Sequence, residues 1–299
     1  MEMPGNLTQE EYVSDRVFRF GLVAAPTGVA DEWTALARRA ENLGFSTLLI
    51  PDASGVPSSV PYFGAAAATT KKLRFGNFVL AAPLHTAGRI AWDAATLDRL
   101  SQGRFELGLG AGRPGADLDA RLLGVPWDKP GERVRRTGEI VTEVRRIFED
   151  ALAGKAELGA FQPIQRPGPP VMIAGRGDRL LGIAARQADI VAIAGATEAD
   201  LGDRVRWIRE SSGDRFDELE LSYNVWVIGD SPTPPWLAAF GVDPAAARDN
   251  EVVGVLNGDQ AGVIDVLERR RDTYGVSYIT INEIALDAAA PIVEALAGT

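Results

Sequence analysis

The chain has 299 residues with 31 Lys and Arg against 41 Asp and Glu, a net charge of −10, which argues against general nucleic-acid binding because that needs a basic footprint. It has no cysteine and one histidine, which excludes disulfides, thiolate metal sites, cysteine nucleophiles and a zinc site of three nitrogen or sulfur ligands. Apolar residues make up 46%, enough for a large core, and no stretch has transmembrane length or the form of a secretory leader, so the chain reads as cytoplasmic and off the membrane.

Residues 1–16 are polar and acidic and read as a flexible tail, leaving 17–299 as one domain. Arg19 to Ala25 is a first strand, stopped by Pro26. Asp31 caps a helix with Trp33, Leu36, Ala37, Ala40 and Leu43 at helical spacing, and Gly44 ends it. Thr47 to Ile50 is a second strand, apolar on both faces, as in a parallel sheet covered by helices. A helix over Val60 to Thr70, a third strand over Arg74 to Leu80 and a helix over Ala87 to Leu100 follow.

Leu97 to Gly112 then holds a helix end, a turn, a strand and a glycine-lined exit within sixteen residues. Leu97 and Leu100 close an apolar stripe, and Gly103 is placed at the left-handed C′ position of the helix. Phe105, Leu107 and Leu109 alternate at strand period. Gly108, Gly110 and Gly112 are poor strand formers, so either neighbouring backbone packs close there or a flat ligand lies against the strand's carboxyl end.

Beyond a long loop, Glu132 to Asp150 is an amphipathic helix, and residues 153–169 read as an insertion. The fifth strand is Val171 to Ala174, the sixth Ile190 to Ala194, the seventh Leu219 to Ile228 and the eighth Ser277 to Ile281, each followed by a helix. Residues 230–250 read as a second insertion. Eight strands alternating with eight helices predict an α/β fold, a single (β/α)8 TIM barrel with insertions after strands 4 and 7.

In such barrels the active site lies at the carboxyl ends of the strands. That selects Asp52, Leu80 to His85, Ala111 to Arg113, Gly175 to Asp178, Gly195, Asn224 to Gly229, and Asn282-Glu283. Gly175-Arg176-Gly177 is either a plain strand-to-helix turn or a phosphate loop, with backbone N–H groups, the helix dipole and Arg176 turned to an anion. His85 is either an exposed loop histidine or a group that exchanges protons near neutral pH. Arg113 is a candidate to anchor an acidic substrate or a charged cofactor tail, and Asp52 is equally a turn aspartate. Trp92 reads as core, whereas Trp127, Trp226 and Trp236 are placed to wall a pocket. Lys71, Lys72, Lys129 and Lys155 all lie at helix ends or in polar loops, so no Schiff-base lysine is expected and the hard chemistry falls to a cofactor.

The chain resembles the bacterial-luciferase-like superfamily of flavin and deazaflavin enzymes. Leu97-Asp98, Ser101, Gly103-Arg104 and Gly108-Leu109-Gly110-Ala111-Gly112 carry the resemblance, which extends from about Phe18 to Glu283. It implies that Gly175, Arg176 and Gly177 hold the cofactor phosphate. It also implies a non-proline cis peptide within Asn77 to Leu80, with Val79, Leu80 and Ala81 supporting the central ring. Ala111 and Gly112 then give the ring room, and Asp52 meets its outer edge. G-R-F-E-L-G-L-G-A-G-R-P from Gly103 and E-R-V-R-R-T-G-E-I from Glu132 are similar to the branch that uses coenzyme F420, the 8-hydroxy-5-deazaflavin. The implied activity is hydride exchange between the deazaflavin C5 and a small organic substrate, with His85 and Arg113 as catalytic candidates. The alternatives are an FMN-dependent monooxygenase and a barrel that binds flavin without turnover. Sugar-phosphate dehydrogenases of the branch carry histidine after the Asp52 position and glutamate after the fourth strand's glycines. This chain has Ala53 and Arg113 there, which puts their alcohol oxidation in doubt. A homodimer is compatible with the resemblance, and no metal is expected.

Overall fold

A computed structural model describes residues 16–26, 28–195, 197–240, 242–243, 246–247 and 252–299. The expected tail lies outside them except for Arg16, whose guanidinium donates to the Leu219 and Asp217 carbonyls. The second expected insertion lies partly outside them. Strands β1 (Arg19–Val23), β2 (Thr47–Ile50), β3 (Arg74–Asn77), β4 (Leu80–Ala81), β5 (Phe105–Gly110), β6 (Val171–Gly175), β7 (Ile190–Ile193), β8 (Glu220–Val225) and β11 (Val276–Asn282) pair in parallel, and β3–β5 pairing closes the ring. β3 and β4 are two parts of one stave, so the barrel has eight positions. Helices α1 (Ala30–Asn42), α2 (Ser59–Thr69), α3 (Ala87–Leu100), α4 (Ala116–Leu123), α5 (Pro130–Leu152), α6 (Asp178–Gln187), α7 (Glu198–Ser212), α8 (Gln260–Tyr274) and α9 (Leu286–Leu296) lie between the strands in sequence, with α4 and α5 both following β5.

Strand alternation sorts the side chains into two cores. Leu22, Leu48, Phe75, Leu107, Ile173, Val191, Leu221 and Ile279 belong to the large cluster shared with the helices. Val23, Leu49, Met172, Ala192 and Tyr278 form the smaller interior cluster, joined by Phe78, Val79 and Ala174. At the amino ends of the strands the interior is ionic. Arg19 bonds Glu220 through Nε and Nη2 at 2.7 and 2.6 Å and Glu106 through Nη1 at 2.6 Å, and lies 3.7 Å from the Tyr278 ring centroid. Arg74 bonds the same Glu106 at 2.5 Å. Burial pushes the Glu106 carboxyl up, and Arg19 and Arg74 outweigh it, so it sits below the ordinary range.

The residues that carry the family resemblance mostly fasten this end. Asp98 accepts the Ile164 and Gln165 N–H groups at 2.7 and 2.9 Å and the Gln165 side chain at 2.7 Å. Arg104 donates to the Ala67, Leu73 and Ser101 carbonyls.

Several elements differ from the sequence reading. The third strand breaks after Asn77 at a cis Phe78–Val79 bond, inside the span the resemblance implied. The seventh ends at Val225, because the Trp226 N–H turns to the Gly254 carbonyl and Val227–Ile228 becomes β9, paired with β10 (Val255–Leu256) outside the barrel. Helix α4 lies in what read as loop. Val29, not Asp31, is the cap residue of α1, and Asp31 sits in its first turn. The apolar stripe of α3 ends at Leu97, since Leu100 is exposed. Gln102 is the first residue past α3 in the left-handed region, and Gly103 follows it there. Trp92 is not core. It is 49% exposed, under Arg89 and beside Phe161, because its place on α3 falls between the buried Ala91 and Ala94 positions.

Candidate functional site

At the carboxyl end of β5 the glycines answer first to packing. A Cβ on Gly108 would collide with the Asn77 carbonyl oxygen, and one on Gly110 would lie 2.7 Å from Val79 Cγ2. Only a glycine strand lets the β3–β4 bulge lie this close. Val79 therefore turns into the barrel with Phe78 and Ala174, and Gly110 pairs with Ala81 on one side and Ala174 on the other. The outcome is a small, flat, apolar floor from Val79 across Gly110 to Ala174. Gly112, at φ 92°, has the Trp127 ring where a Cβ would be, and Trp127 stacks under the Arg133 guanidinium at 4.1 Å. Arg133 also donates to the Ala111 carbonyl at 3.1 Å.

Beyond Ala174 the chain runs through Gly175 and Arg176 to Gly177, the residue before α6. No side chain caps that helix, although Asp178 lies in its first turn. Gly177 has φ −91° and no heavy atom within 4 Å of an added Cβ, so space stands open before the helix. Gly175 is tight instead, since its Cβ would meet Leu180 Cδ2 at 2.6 Å. Arg176 is exposed. First-turn N–H groups, an open approach and an arginine suit an anion.

Asp52, Leu80 and His85 meet at a different place. Asp52 Oδ2 accepts the Ala81 N–H at 3.1 Å and lies 3.4 Å from His85 Nε2. All three line a cavity of about 520 Å³ that runs outside the bulge to Ile90 and Leu97 of α3 and to Phe105 and Leu107. Leu107 faces the helices, so this cavity extends behind the barrel wall, whereas Val79 faces the axis. Arg113 is held at the rim by Asp119 at 2.7 Å, and Asp119 also accepts the Ser54 N–H at 3.1 Å. That strap ties the loop after β2 to the loop after β5. Of the nine positions that the resemblance implied for a cofactor, Val79 faces the barrel axis, Ala81, Ala111 and Gly112 lie at the bulge and the exit of β5, and Gly175, Arg176 and Gly177 lead to α6, whereas Asp52 and Leu80 line the cavity behind the wall. A smaller cavity of about 330 Å³ lies by the start of α8, and Asp230 and Asp259 in its lining suit no phosphate.

Two strand-end residues were selected only in passing by the sequence. Glu283, just past β11, has a buried Oε2 without a hydrogen-bond partner, and burial pushes its carboxyl up. Asn224, on the neighbouring β8, has a buried amide oxygen in the same condition. Periodicity marks their positions, but only packing reveals that both oxygens lack partners. Trp226 packs edge-on to Trp236 at 6.3 Å. Among the described residues no three His, Cys, Asp or Glu side chains converge as a metal site, and no helix is long and apolar enough to cross a membrane.

The model of the family described as luciferase-like monooxygenase matches residues 16–240. Among relatives, an uncharacterised protein of Mycobacterium tuberculosis is 31% identical over 213 residues, 60% of this chain and 71% of its own. An F420-dependent glucose-6-phosphate dehydrogenase of Beutenbergia cavernae is 31% identical over 118 residues, 36% of this chain and 34% of the relative. Among solved structures, an F420-dependent secondary alcohol dehydrogenase in complex with an F420-acetone adduct superposes with TM-score 0.77 at 18% identity, covering 94% of this chain and 99% of that one. The FMN-bound oxygenating constituent of 3,6-diketocamphane monooxygenase from Pseudomonas putida gives 0.68 at 16%, covering 94% and 96%. At these identities the two structures share the fold, whichever cofactor each carries. With well over half its length matched, the chain belongs to the luciferase-like monooxygenase family, whose members are oxidoreductases, and its relatives support the F420-dependent branch.

Proposed function

We propose that the chain is an F420-dependent oxidoreductase that exchanges a hydride with a small organic substrate. The observation that carries this reading is the run from floor to helix start. Val79, Gly110 and Ala174 offer a flat apolar surface, and Gly175-Arg176-Gly177 leads from its edge to an uncapped helix. A planar ring with a phosphate on its tail fits both halves at once, and a substrate of either kind alone fits one. Riboflavin-derived and deazaflavin cofactors share that outline. The 31% identity to an F420-dependent dehydrogenase and the segments from Gly103 and Glu132 favour the deazaflavin.

When bound, the deazaflavin supplies hydride exchange at C5. In this reading the Val79 side chain and the backbone of Leu80 and Ala81 carry the ring from below, with the Leu80 side chain turned to the cavity behind the wall, and Ala111 and Gly112 leave room beside it. Gly175, Arg176 and Gly177 take the phosphate, and Asp52 stands at the outer edge. His85, bonded to Asp52, exchanges a proton at the rim, and Arg113 reaches substrate only by sharing the charge that Asp119 already neutralises. With Ala53 and Arg113 where sugar-phosphate dehydrogenases place histidine and glutamate, the substrate is not a sugar phosphate oxidised in their way.

Titration of the purified protein with coenzyme F420 and with FMN, each oxidised and reduced, tests the cofactor. Deazaflavin binding is expected at micromolar Kd or tighter, about −8 kcal/mol, with FMN at least tenfold weaker. Tight FMN binding with oxygen consumption on adding an aldehyde or aromatic compound makes the protein a monooxygenase instead.

A further inference from the structure

Behind the barrel wall lies a space that the cofactor reading leaves unassigned. The cavity of about 520 Å³ has Phe105 and Leu107 of β5 on one side and Ile90, Ala94 and Leu97 of α3 on the other. Protein interiors are packed about as densely as organic crystals, and small-molecule pockets run from about 300 to 1,000 Å³. A cavity of this size reads as ligand space and not as a packing fault. Its depth is apolar, and the one side-chain amide in its lining, Asn77, already donates to Ser59 Oγ at 3.1 Å.

The way in is apolar as well. Leu122 and Leu123 of α4 line the same cavity and are 66% and 58% exposed, so its edge toward solvent is built of leucine. An apolar rim on an apolar cavity suits a molecule that is itself mostly apolar.

The charged groups at the polar end decide the rest. Asp52, Asp93 and Asp119 all line it. Asp93 is bonded by Arg89 and Asp119 by Arg113, each at 2.7 Å. Asp52 has no arginine or lysine. Among the described residues its partners are the Ala81 N–H at 3.1 Å and His85 Nε2 at 3.4 Å. One carboxylate therefore remains to meet a positive charge, and no arginine of the lining remains to meet a negative one.

We propose that this cavity binds a small amine, with its apolar body held between α3 and β5 and its cationic head at Asp52. There the head gains a charge-assisted hydrogen bond. An alkyl carboxylate of the same length sets its charge against Asp52 and is turned away. The site does not rest on the cofactor reading. Phe105 and Leu107 belong to the helix-facing core, whereas Val79 of the floor faces the axis, so the strands separate the two.

The test uses the full chain without F420. Octylamine, butylamine and octanoate are titrated by isothermal calorimetry near pH 7, where alkylamines are cations. Octylamine is expected to bind at least tenfold tighter than butylamine, because its extra methylenes are buried. It is also expected to bind at least tenfold tighter than octanoate. The net charge of −10 favours any cation, so variants must locate the effect. Asp52→Asn keeps the shape and an acceptor for the Ala81 N–H but removes the charge. It is expected to weaken octylamine at least tenfold while octylamine still binds tighter than butylamine. Ala94→Leu fills the depth and is expected to weaken octylamine at least tenfold, with Val60→Phe, from α2, taking its place if that protein does not fold. Equal binding of octanoate or of butylamine, or no binding of octylamine, overturns the assignment. So does an unchanged octylamine Kd in Asp52→Asn or in a folded cavity variant. Failure to bind F420, measured separately, overturns the cofactor reading and leaves the amine site standing.

Discussion

At the scale of single residues, the two glycines of the helix start make opposite demands. Gly175 is fixed by Leu180, so any side chain there disturbs the protein before it reaches a ligand. Gly177 is extended and faces open space, so valine fits its backbone and meets nothing of the protein. Gly177→Val is therefore expected to lower stability by less than about 1 kcal/mol, the ordinary cost of a poor residue before a helix. It should raise the deazaflavin Kd at least tenfold, about 1.4 kcal/mol, because the valine occupies the approach to the first-turn N–H groups. Unchanged affinity in a protein of normal circular dichroism removes the loop from the site. Gly112 gives no such clean reading. Its left-handed backbone and the Trp127 ring behind it mean that a leucine there perturbs packing as well as any ring space.

At the scale of elements, the Leu97 to Gly112 stretch shows what a sequence can disclose and what it cannot. Alternation of Phe105, Leu107 and Leu109 locates the strand and its helix-facing side, as observed. The missing side chains at Gly108 and Gly110 are equally legible, but what fills their place is not. It is the β3–β4 bulge, some thirty residues earlier in the chain, so close packing and ligand approach share one surface. Helix α4 escaped for a different reason. Its eight residues show Leu118, Leu122 and Leu123 to solvent and bury Ala116, Asp119 and Ala120, which inverts the usual periodic signal. With it went the role of Asp119, and hence the pairing that neutralises Arg113. Glu283 was visible as a strand-end acid, whereas its lack of a partner is a property of three dimensions only. The packing claim for β5 is directly testable. Gly108→Ala drives a methyl group into backbone, which cannot swing aside as a side chain can. It should lower the unfolding midpoint well beyond the effect of Gly177→Val, or abolish soluble expression. A Gly108→Ala protein as stable as wild type means that the bulge lies farther from β5.

At the scale of the whole molecule, the barrel divides its labour between its ends. Chemistry is expected where the strands finish, and the ionic cluster of Arg19, Arg74, Glu106 and Glu220 lies where they begin. Glu106 is the centre of that cluster, buried and bonded by two arginines. Its removal leaves Arg74 without its carboxylate and Arg19 with Glu220 alone, and breaking a buried pair of this kind costs about 3–5 kcal/mol. A carboxyl held below its ordinary value adds stability above its unfolded pKa and loses it as pH falls through the folded one. The wild-type unfolding midpoint should thus fall in acid below about pH 4.5, the region where an ordinary glutamate titrates. Glu106→Gln should start from a lower midpoint at neutral pH and show a shallower acid limb, since the group that titrates is gone. Because the cluster lies at the opposite end from the proposed site, F420 affinity in the folded variant should stay within about twofold of wild type. A large loss of affinity in a well-folded Glu106→Gln protein contradicts this separation and means that the floor of the barrel reaches, through its interior side chains, the surface on which the ring rests.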